Sequence, residues 1–452
     1  MARAQDTMAN SFDLATAGEL EPRLRELVER RHALLGPGYR LFYERPVEMV
    51  RGEGVHLYDA DGNEYLDAYN NVPCVGHAHP RVVEAVARQA ATLNTHTRYA
   101  AEPILDYAER LLATHAPALG NVTFTCTGSE ANDLALRVAR FATRAEGVIV
   151  TQNAYHGVTS AVAEISPSLG PNVPLGTHVR AVPPPDPALG DATAVGRAFA
   201  ASVADAIADL NRHGANVAAL VLDSIFSTDG ILPDPAGFLA PAVDVVRAAG
   251  GLYVADEVQS GFGRTGKFFA IEHFGVEPDL LVVAKSVAAG VPLSGVVGRA
   301  EIVDAAPDSS IGGTFVGSPL GCVAAIAVIE ELEGGLLDRA VVIGERIRAR
   351  FEELEARFDQ IGDVRGLGPM LAMEFVESPE SKEPAPAIAA AVREAALQSG
   401  LILLQAGVHS NCIRVLVSLV ATDEQVDEAL DILSAAVQAT CAPEPLAAAP
   451  AP

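Results

Sequence analysis

The sequence predicts an α/β protein whose core is a mostly parallel sheet with helices on both faces, joined to a smaller α+β part. Three observations carry this. Between about 80 and 320, short continuously apolar runs alternate with stretches of helical periodicity, the pattern of a parallel sheet covered on both sides. The chain has 452 residues, 49% hydrophobic and 20% charged, enough to bury a large core. Its 39 glycines and 29 prolines are spread out rather than gathered in one tract.

Residues 1–20 read as a flexible arm. "ELEPRLRELVERRHALL", Glu19 to Leu35, follows as a charged amphipathic helix. "VHLYDADGNEYLDAYNN", Val55 to Asn71, alternates around an Asp-Gly turn, as a hairpin does. Strands are expected at "NVTFTCTG", "GVIVTQ", "VAALVLDSIF", "GGLYVADE" and "DLLVVAK". A helix follows the first of them, with Leu134, Val138 and Phe141 at helical spacing. After about 325 a long helical stretch leads into the α+β segment, interrupted by a surface excursion at "PESKEPAPA". Thr422 and Gln425 form a capping-box pattern for a last helix. The expected division is a small α+β domain from 21–78 and 325–440, a large ligand-binding domain from 79–324, and a disordered tail at 441–452.

The net charge of −26 disfavours nucleic acid and anionic membranes as partners. The five cysteines are scattered with no CxxC pair, which gives no zinc signature and fits a reducing cytoplasm. The N-terminus lacks an apolar signal core, and no run is long enough for a membrane span. A cytoplasmic location is expected.

Two motifs point away from their usual chemistry. "GFGRTGKF", Gly261 to Phe268, spells both G-x-G-x-x-G and G-x-x-x-x-G-K. Phe268 stands where a phosphate loop needs Ser or Thr, and "EVQS" separates the loop from its strand, so it reads as a glycine-rich loop passing close to something. "GHAHP" places His77 and His79 two apart, without a third ligand cluster, so no metal is expected.

Three strand ends carry chemistry. The chain has three lysines, Lys267, Lys285 and Lys382, and one of them, Lys285, ends the buried run "LLVVAK". A desolvated lysine loses its proton readily and attacks carbonyls, which an arginine cannot do. Asp256 ends "GGLYVAD" and can hold a protonated ring nitrogen. Thr127, Gly128 and Ser129 precede a helix, whose N-terminal N–H groups form an anion site. Aldehyde, pyridinium and phosphate are the three handles of pyridoxal 5'-phosphate.

The stretch "LYVADEVQSGFGRTGKFFAIEHFGVEPDLLVVAKSVAAGVPLSGVVG" resembles the core signature of class III (ω-type) aminotransferases, pyridoxal-phosphate enzymes of fold type I. "TGSEAND", "AYHG", "GGTFVGSPLG" and "NCIRVL" follow in the family's order, and the likeness runs from about Val55 to Leu433. The resemblance implies that Lys285 holds the cofactor as a Schiff base and moves the substrate proton. Asp256 would pair with the pyridinium nitrogen and Gln259 with the ring hydroxyl. Gly128 and Ser129 would bind the phosphate, and Tyr155 would stack on the ring beside His156 and Gly157. Thr314 would reach the cofactor of a neighbouring subunit, which makes the active unit a homodimer with shared sites, or a tetramer built from it. Arg414 would grip a substrate carboxylate, with Asn71 also on the substrate side. The reaction so implied moves the amino group of a primary amine or an ω- or α-amino acid to a keto acid such as pyruvate or 2-oxoglutarate.

The sequence departs from that pattern where many members read "EPVQGEGG" and this chain reads "DSIFSTDG". Asp223 and Thr228 replace two glutamates, the second of which pairs with the substrate arginine in several members. "NNVPCVGHAHP", "LNTHTRY" and "AYHGVTSAVAEISP" resemble the subgroup containing the phosphoethanolamine and phosphohydroxylysine phospho-lyases. A lyase or aminomutase on the same cofactor is therefore the alternative. A nucleotide-binding protein, resting on the "GFGRTGK" match, is a third reading.

Overall fold

The computed structural model describes residues 10–304 and 312–442. Strands β1 (Met49–Glu53), β2 (His56–Asp59) and β3 (Glu64–Asp67) form an antiparallel meander. The β2–β3 pair is the expected hairpin, its turn closed by Asp59, whose carboxylate accepts from the backbone of Asp61 and Asn63.

The central sheet comprises β4 (Asn121–Thr125), β5 (Gly147–Thr151), β6 (Val179–Val182), β7 (Val217–Asp223), β8 (Leu252–Asp256), β9 (Leu280–Val283) and β10 (Ser294–Gly298). Its order is β4-β10-β9-β8-β7-β5-β6. Neighbours from β9 through β6 are parallel, and β10 runs antiparallel to both β9 and β4. Apolar residues on the two faces feed separate clusters. One contains Leu220, Leu222, Tyr253 and Val283, and the other contains Val221, Val254 and Val282. Burial on both sides explains why these strands read as unbroken apolar runs.

A third sheet is built from β11 (Ile361–Leu367), β12 (Met370–Phe375), β14 (Leu404–Ala406) and β15 (Cys412–Leu416), while β13 (Leu401–Ile402) runs parallel to β3 and ties the chain's end to its beginning. Helices Leu337–Glu355, Pro386–Gln398 and Asp423–Cys441 supply the apolar cluster of this part. The last is capped by Thr422 and Gln425 as the sequence indicates.

Two stretches differ from expectation. Residues 10–20 are anchored rather than loose: Asn10 is buried, donates to the Gln405 carbonyl and accepts from the Gln405 N–H. Residues 1–9 and 443–452 lie outside the described residues. Helix Pro319–Glu331 and Ala340 belong to the large cluster, past the expected boundary at 325, because the helix is apolar all round and buried on most of its surface. Among the described residues no helix is long and apolar enough to cross a membrane.

Candidate active site

Two of the three central strands end at residues singled out by their chemistry, Asp256 and Lys285, and the third ends at Asp223, one of the departures from the family pattern. Asp223 closes β7, Asp256 closes β8, and Lys285 stands two residues past β9. Asp223 and Asp256 are register partners, and Asp256 is the partner of Val282. The carboxyl ends of parallel strands are where ligands bind in this architecture. A cavity of about 330 Å³ opens there, lined among others by Ser129, Tyr155, Asp256, Gln259 and Lys285.

Lys285 begins a short turn with φ of 51°, a left-handed conformation that costs a non-glycine residue roughly 1–3 kcal/mol. Such strain at a reactive residue persists only where the surroundings enforce it. Burial pushes its amine down from 10.5 to about 8; Asp256 works against that fall and Arg414 adds to it. About a tenth of the amine is thus neutral, and nucleophilic, at pH 7, some hundreds of times more than for an ordinary lysine.

Asp256 is 4% exposed. Its Oδ2 accepts from Asn132 Nδ2 at 2.9 Å and from His156 Nδ1 at 2.7 Å. Its Oδ1 accepts from the Val258 N–H at 3.0 Å. With Nδ1 donating, His156 Nε2 is buried and meets no partner among the described residues.

The anion cradle is the N-terminus of helix Gly128–Thr143. The Thr127–Glu130 capping box satisfies the N–H groups of Cys126, Thr127 and Glu130. Those of Gly128 and Ser129 have no acceptor within the helix, and the helix dipole favours an anion beside them. Ser129 Oγ accepts from the Val158 N–H at 3.1 Å, so its own proton is available. Gly157 has φ of 141°, and a Cβ there would stand 2.4 Å from Ser129 Oγ. Only glycine lets the two segments approach this closely.

On the other side, Gln259 Nε2 donates to Asn71 Oδ1 at 3.0 Å, and Gln259 Oε1 faces Ser227 Oγ at 2.9 Å. Tyr155 is 44% exposed on the cavity wall. Arg414, on β15, is 7% exposed. Its Nη1 donates to the Ser227 carbonyl at 3.2 Å, its Cζ lies 5.4 Å from the Tyr69 ring centre, and its Nε has no partner. No carboxylate among the described residues pairs with it. Thr228, beside Ser227, lines the cavity in the place of a glutamate.

The structure therefore gathers Lys285, Asp256, Gly128, Ser129, Tyr155, His156, Gly157 and Gln259 around one cavity, with Asn71 and Arg414 at its margin. Thr314 is exposed and not among the lining residues of the single chain. His77 Nε2 is engaged with Asp67 at 2.8 Å and His79 precedes a helix, so the two histidines serve different neighbours. The "GFGRTG" loop packs under the site: Arg264, 1% exposed, donates from Nη2 to Asn70 Oδ1 at 3.0 Å and from Nε to Ser286 Oγ at 3.3 Å, next to Lys285. Sequence reasoning passed over Asn132, Ser227 and Arg264. Asn132 alone left a signal, a polar residue amid Ala131, Ala135 and Leu136 on the buried helix face.

The sequence pattern of the family "Aminotransferase class-III" matches residues 42–437. The chain belongs to the class-III aminotransferases. A probable 4-aminobutyrate aminotransferase of Bacillus subtilis (strain 168) is 38% identical, the match covering 86% of this chain and 92% of that protein. A 5-aminovalerate aminotransferase of Pseudomonas aeruginosa is 36% identical over 90% of this chain and 97% of its own. Among solved structures, a phospholyase from Arthrobacter in complex with phosphoethanolamine superimposes with a TM-score of 0.88 at 40% identity, covering 91% of this chain and 99% of that one.

This aminotransferase is a fold type I enzyme that uses pyridoxal phosphate. The residues present fit that cofactor. The donor-only Gly128–Ser129 cradle suits its phosphate, the space left by Gly157 keeps that cradle open, and the partly neutral Lys285 amine suits its aldehyde.

Proposed function

We propose that this aminotransferase acts on a substrate that carries a carboxylate besides its amine, an ω-amino acid in the first instance, and passes the nitrogen to pyruvate or 2-oxoglutarate. The observation that carries this is Arg414: a buried guanidinium whose only oxygen partner among the described residues is one backbone carbonyl. A buried guanidinium without an anion is unfavourable, and a substrate carboxylate supplies one in bidentate fashion.

When bound, pyridoxal phosphate supplies the aldehyde that takes the amine and the ring that absorbs the electrons released at the carbon. This chain's residues do the rest. Lys285 contributes an amine that is free to bond, release and carry a proton, because burial has lowered its basicity. Asp256, held by Asn132, His156 and Val258, presents a fixed negative charge to a ring nitrogen. Gly128 and Ser129 would hold the phosphate with backbone N–H groups and the serine hydroxyl. Tyr155 would cover the ring, and Gln259, oriented by Asn71, would meet its hydroxyl. Exposed Thr314 and its exposed neighbour Phe315 suit a contact with a second subunit, making a homodimer the working unit. Five unpaired cysteines suit the cytoplasm.

A second reading is favoured by the 40% identity to the phosphoethanolamine-bound phospholyase and by Thr228, which places no acid opposite a substrate phosphate. In it, Arg414 grips that phosphate, and elimination replaces transfer. One panel decides. Alanine or glutamate formed from ω-amino acids with pyruvate or 2-oxoglutarate supports transfer. Phosphate released from phosphoethanolamine without a keto acid supports the lyase and overturns the first reading.

A further inference from the structure

The hydrogen bonds around Ser227 do not close if every nearby acid is ionised. Ser227 is 1% exposed and owns a single O–H. Its Oγ lies against two acceptors, Asp223 Oδ2 and, at 2.9 Å, Gln259 Oε1. Asn71 Oδ1 accepts from Gln259 Nε2 and so turns the oxygen end of that amide toward Ser227. Asp223 Oδ2 also accepts from the Ser227 N–H, but one hydroxyl proton cannot lie in both of these O···O contacts, so with Asp223 ionised one of them sets two lone pairs against each other.

The strand register gives an independent reason. Asp223 and Asp256 are paired residues of adjacent parallel strands, so their side chains leave the sheet on the same face. Two carboxylates so placed disfavour each other's ionisation. They are unequally served. Three N–H donors surround Asp256, two of them from side chains. Asp223 receives the backbone N–H groups of Ile225 and Ser227. Burial pushes the Asp223 carboxyl up and outweighs the opposing pull of the Ser227 hydroxyl and of the two backbone N–H groups; Asp256 adds to the rise. The other titratable or charged groups facing it are Lys285 beyond β9, Tyr253 on β8, Asp229 in its own loop, and Arg414 from β15 through Ser227.

We propose that Asp223 is a neutral carboxylic acid in the resting holoenzyme, donating to Ser227 Oγ, which donates to Gln259 Oε1. Every link from Asp223 to Asn71 then has one donor and one acceptor. The pair then carries one negative charge, on Asp256. A second N–H of Gln259 stays available to an oxygen in the cavity. These consequences rest on the cofactor reading above; the proton count does not.

Infrared difference spectra of wild-type and Asp223→Asn holoenzyme test it, recorded above the pH of about 7 to which the Glu257 carboxyl is raised. The expected result is loss of one protonated-carboxyl C=O band, a band that Asp229→Asn and Glu257→Gln both retain. Loss of a carboxylate band instead overturns the proposal; it marks an ionised Asp223 with Gln259 turned over to donate to Ser227. If Asp223→Asn does not fold, Ser227→Ala carries the test. Removing the acceptor is expected to move the same C=O band to higher frequency, and an unchanged C=O region overturns the proposal. Neither spectrum depends on turnover, so a wrong substrate assignment is separable from a wrong proton.

Discussion

Arg414 Nη1 donates to the carbonyl oxygen of Ser227 at 3.2 Å, and that backbone atom stands where a carboxylate partner is absent. A neutral carbonyl holds the guanidinium in place without neutralising it, so the charge remains to be claimed by substrate. Arg414→Ala is expected to lower kcat/KM for an ω-amino acid by about 10- to 100-fold, the size of a lost charge-assisted hydrogen bond. Amines without a carboxylate are expected to be nearly unaffected. Steady-state kinetics on matched pairs of substrates check this; equal losses on both classes count against the assignment.

Asp256 is predicted to act through its charge rather than its shape. Asp256→Asn keeps the volume and the N–H donor of Val258 but removes the charge offered to the ring nitrogen. A fall in kcat on the order of 10²-fold or more is expected, as for the loss of one pre-organised charge partner, with cofactor still bound. Single-turnover spectra separate this from simple loss of cofactor. His156→Phe leaves Asp256 with two of its three donors and is expected to give a smaller fall in kcat, with KM little changed.

How far the sequence reached follows from how local each feature is. The strands β4, β5, β7, β8 and β9 were legible because each is a buried run with its own turn signals. β6 is four residues long with Arg180 inside it, and β10 contains two glycines, so neither has the composition of a buried strand. Lys285, Asp256 and the Ser129 cradle were visible because a strand end or helix start marks them. The Asp223–Ser227–Gln259 chain was not, since it depends on which strands are neighbours and in what register. Arg264 lay within a motif that imitates a phosphate loop; its burial under Lys285 comes from the fold, not the spacing.

Gly157 sets the width of the phosphate cradle. Its φ of 141° is closed to most residues, and an added Cβ would fall 2.8 Å from the Ser129 Cα as well as against its hydroxyl. Gly157→Ala is expected to destabilise the protein by roughly 1–3 kcal/mol and, by moving Ser129, to weaken pyridoxal-phosphate binding about tenfold or more. Gly250, with φ of 85° and nothing within 4 Å, serves as a control. Gly250→Ala is expected to cost stability without changing cofactor affinity. Thermal melts and cofactor titrations on both variants read the two effects apart.

Lys285 links the site to stability through pH. In the unfolded chain its amine keeps a proton to about 10.5, while in the fold burial makes it let go near about 8. Between those values the unfolded state binds the extra proton, so the stability of cofactor-free protein rises with pH across that window. Below it both states are protonated, and the penalty of burying the charge is present in full. The gap corresponds to about 3 kcal/mol at most, and less because Lys285 is partly exposed toward the cavity. Lys285→Met removes the titrating group. The difference in urea midpoint between the variant and wild type is expected to favour the variant at neutral pH and to shrink as pH climbs through the window. A difference that is constant across it would show that the amine is not desolvated, and the chemical case for Lys285 as a ready nucleophile would then rest on the strand end alone.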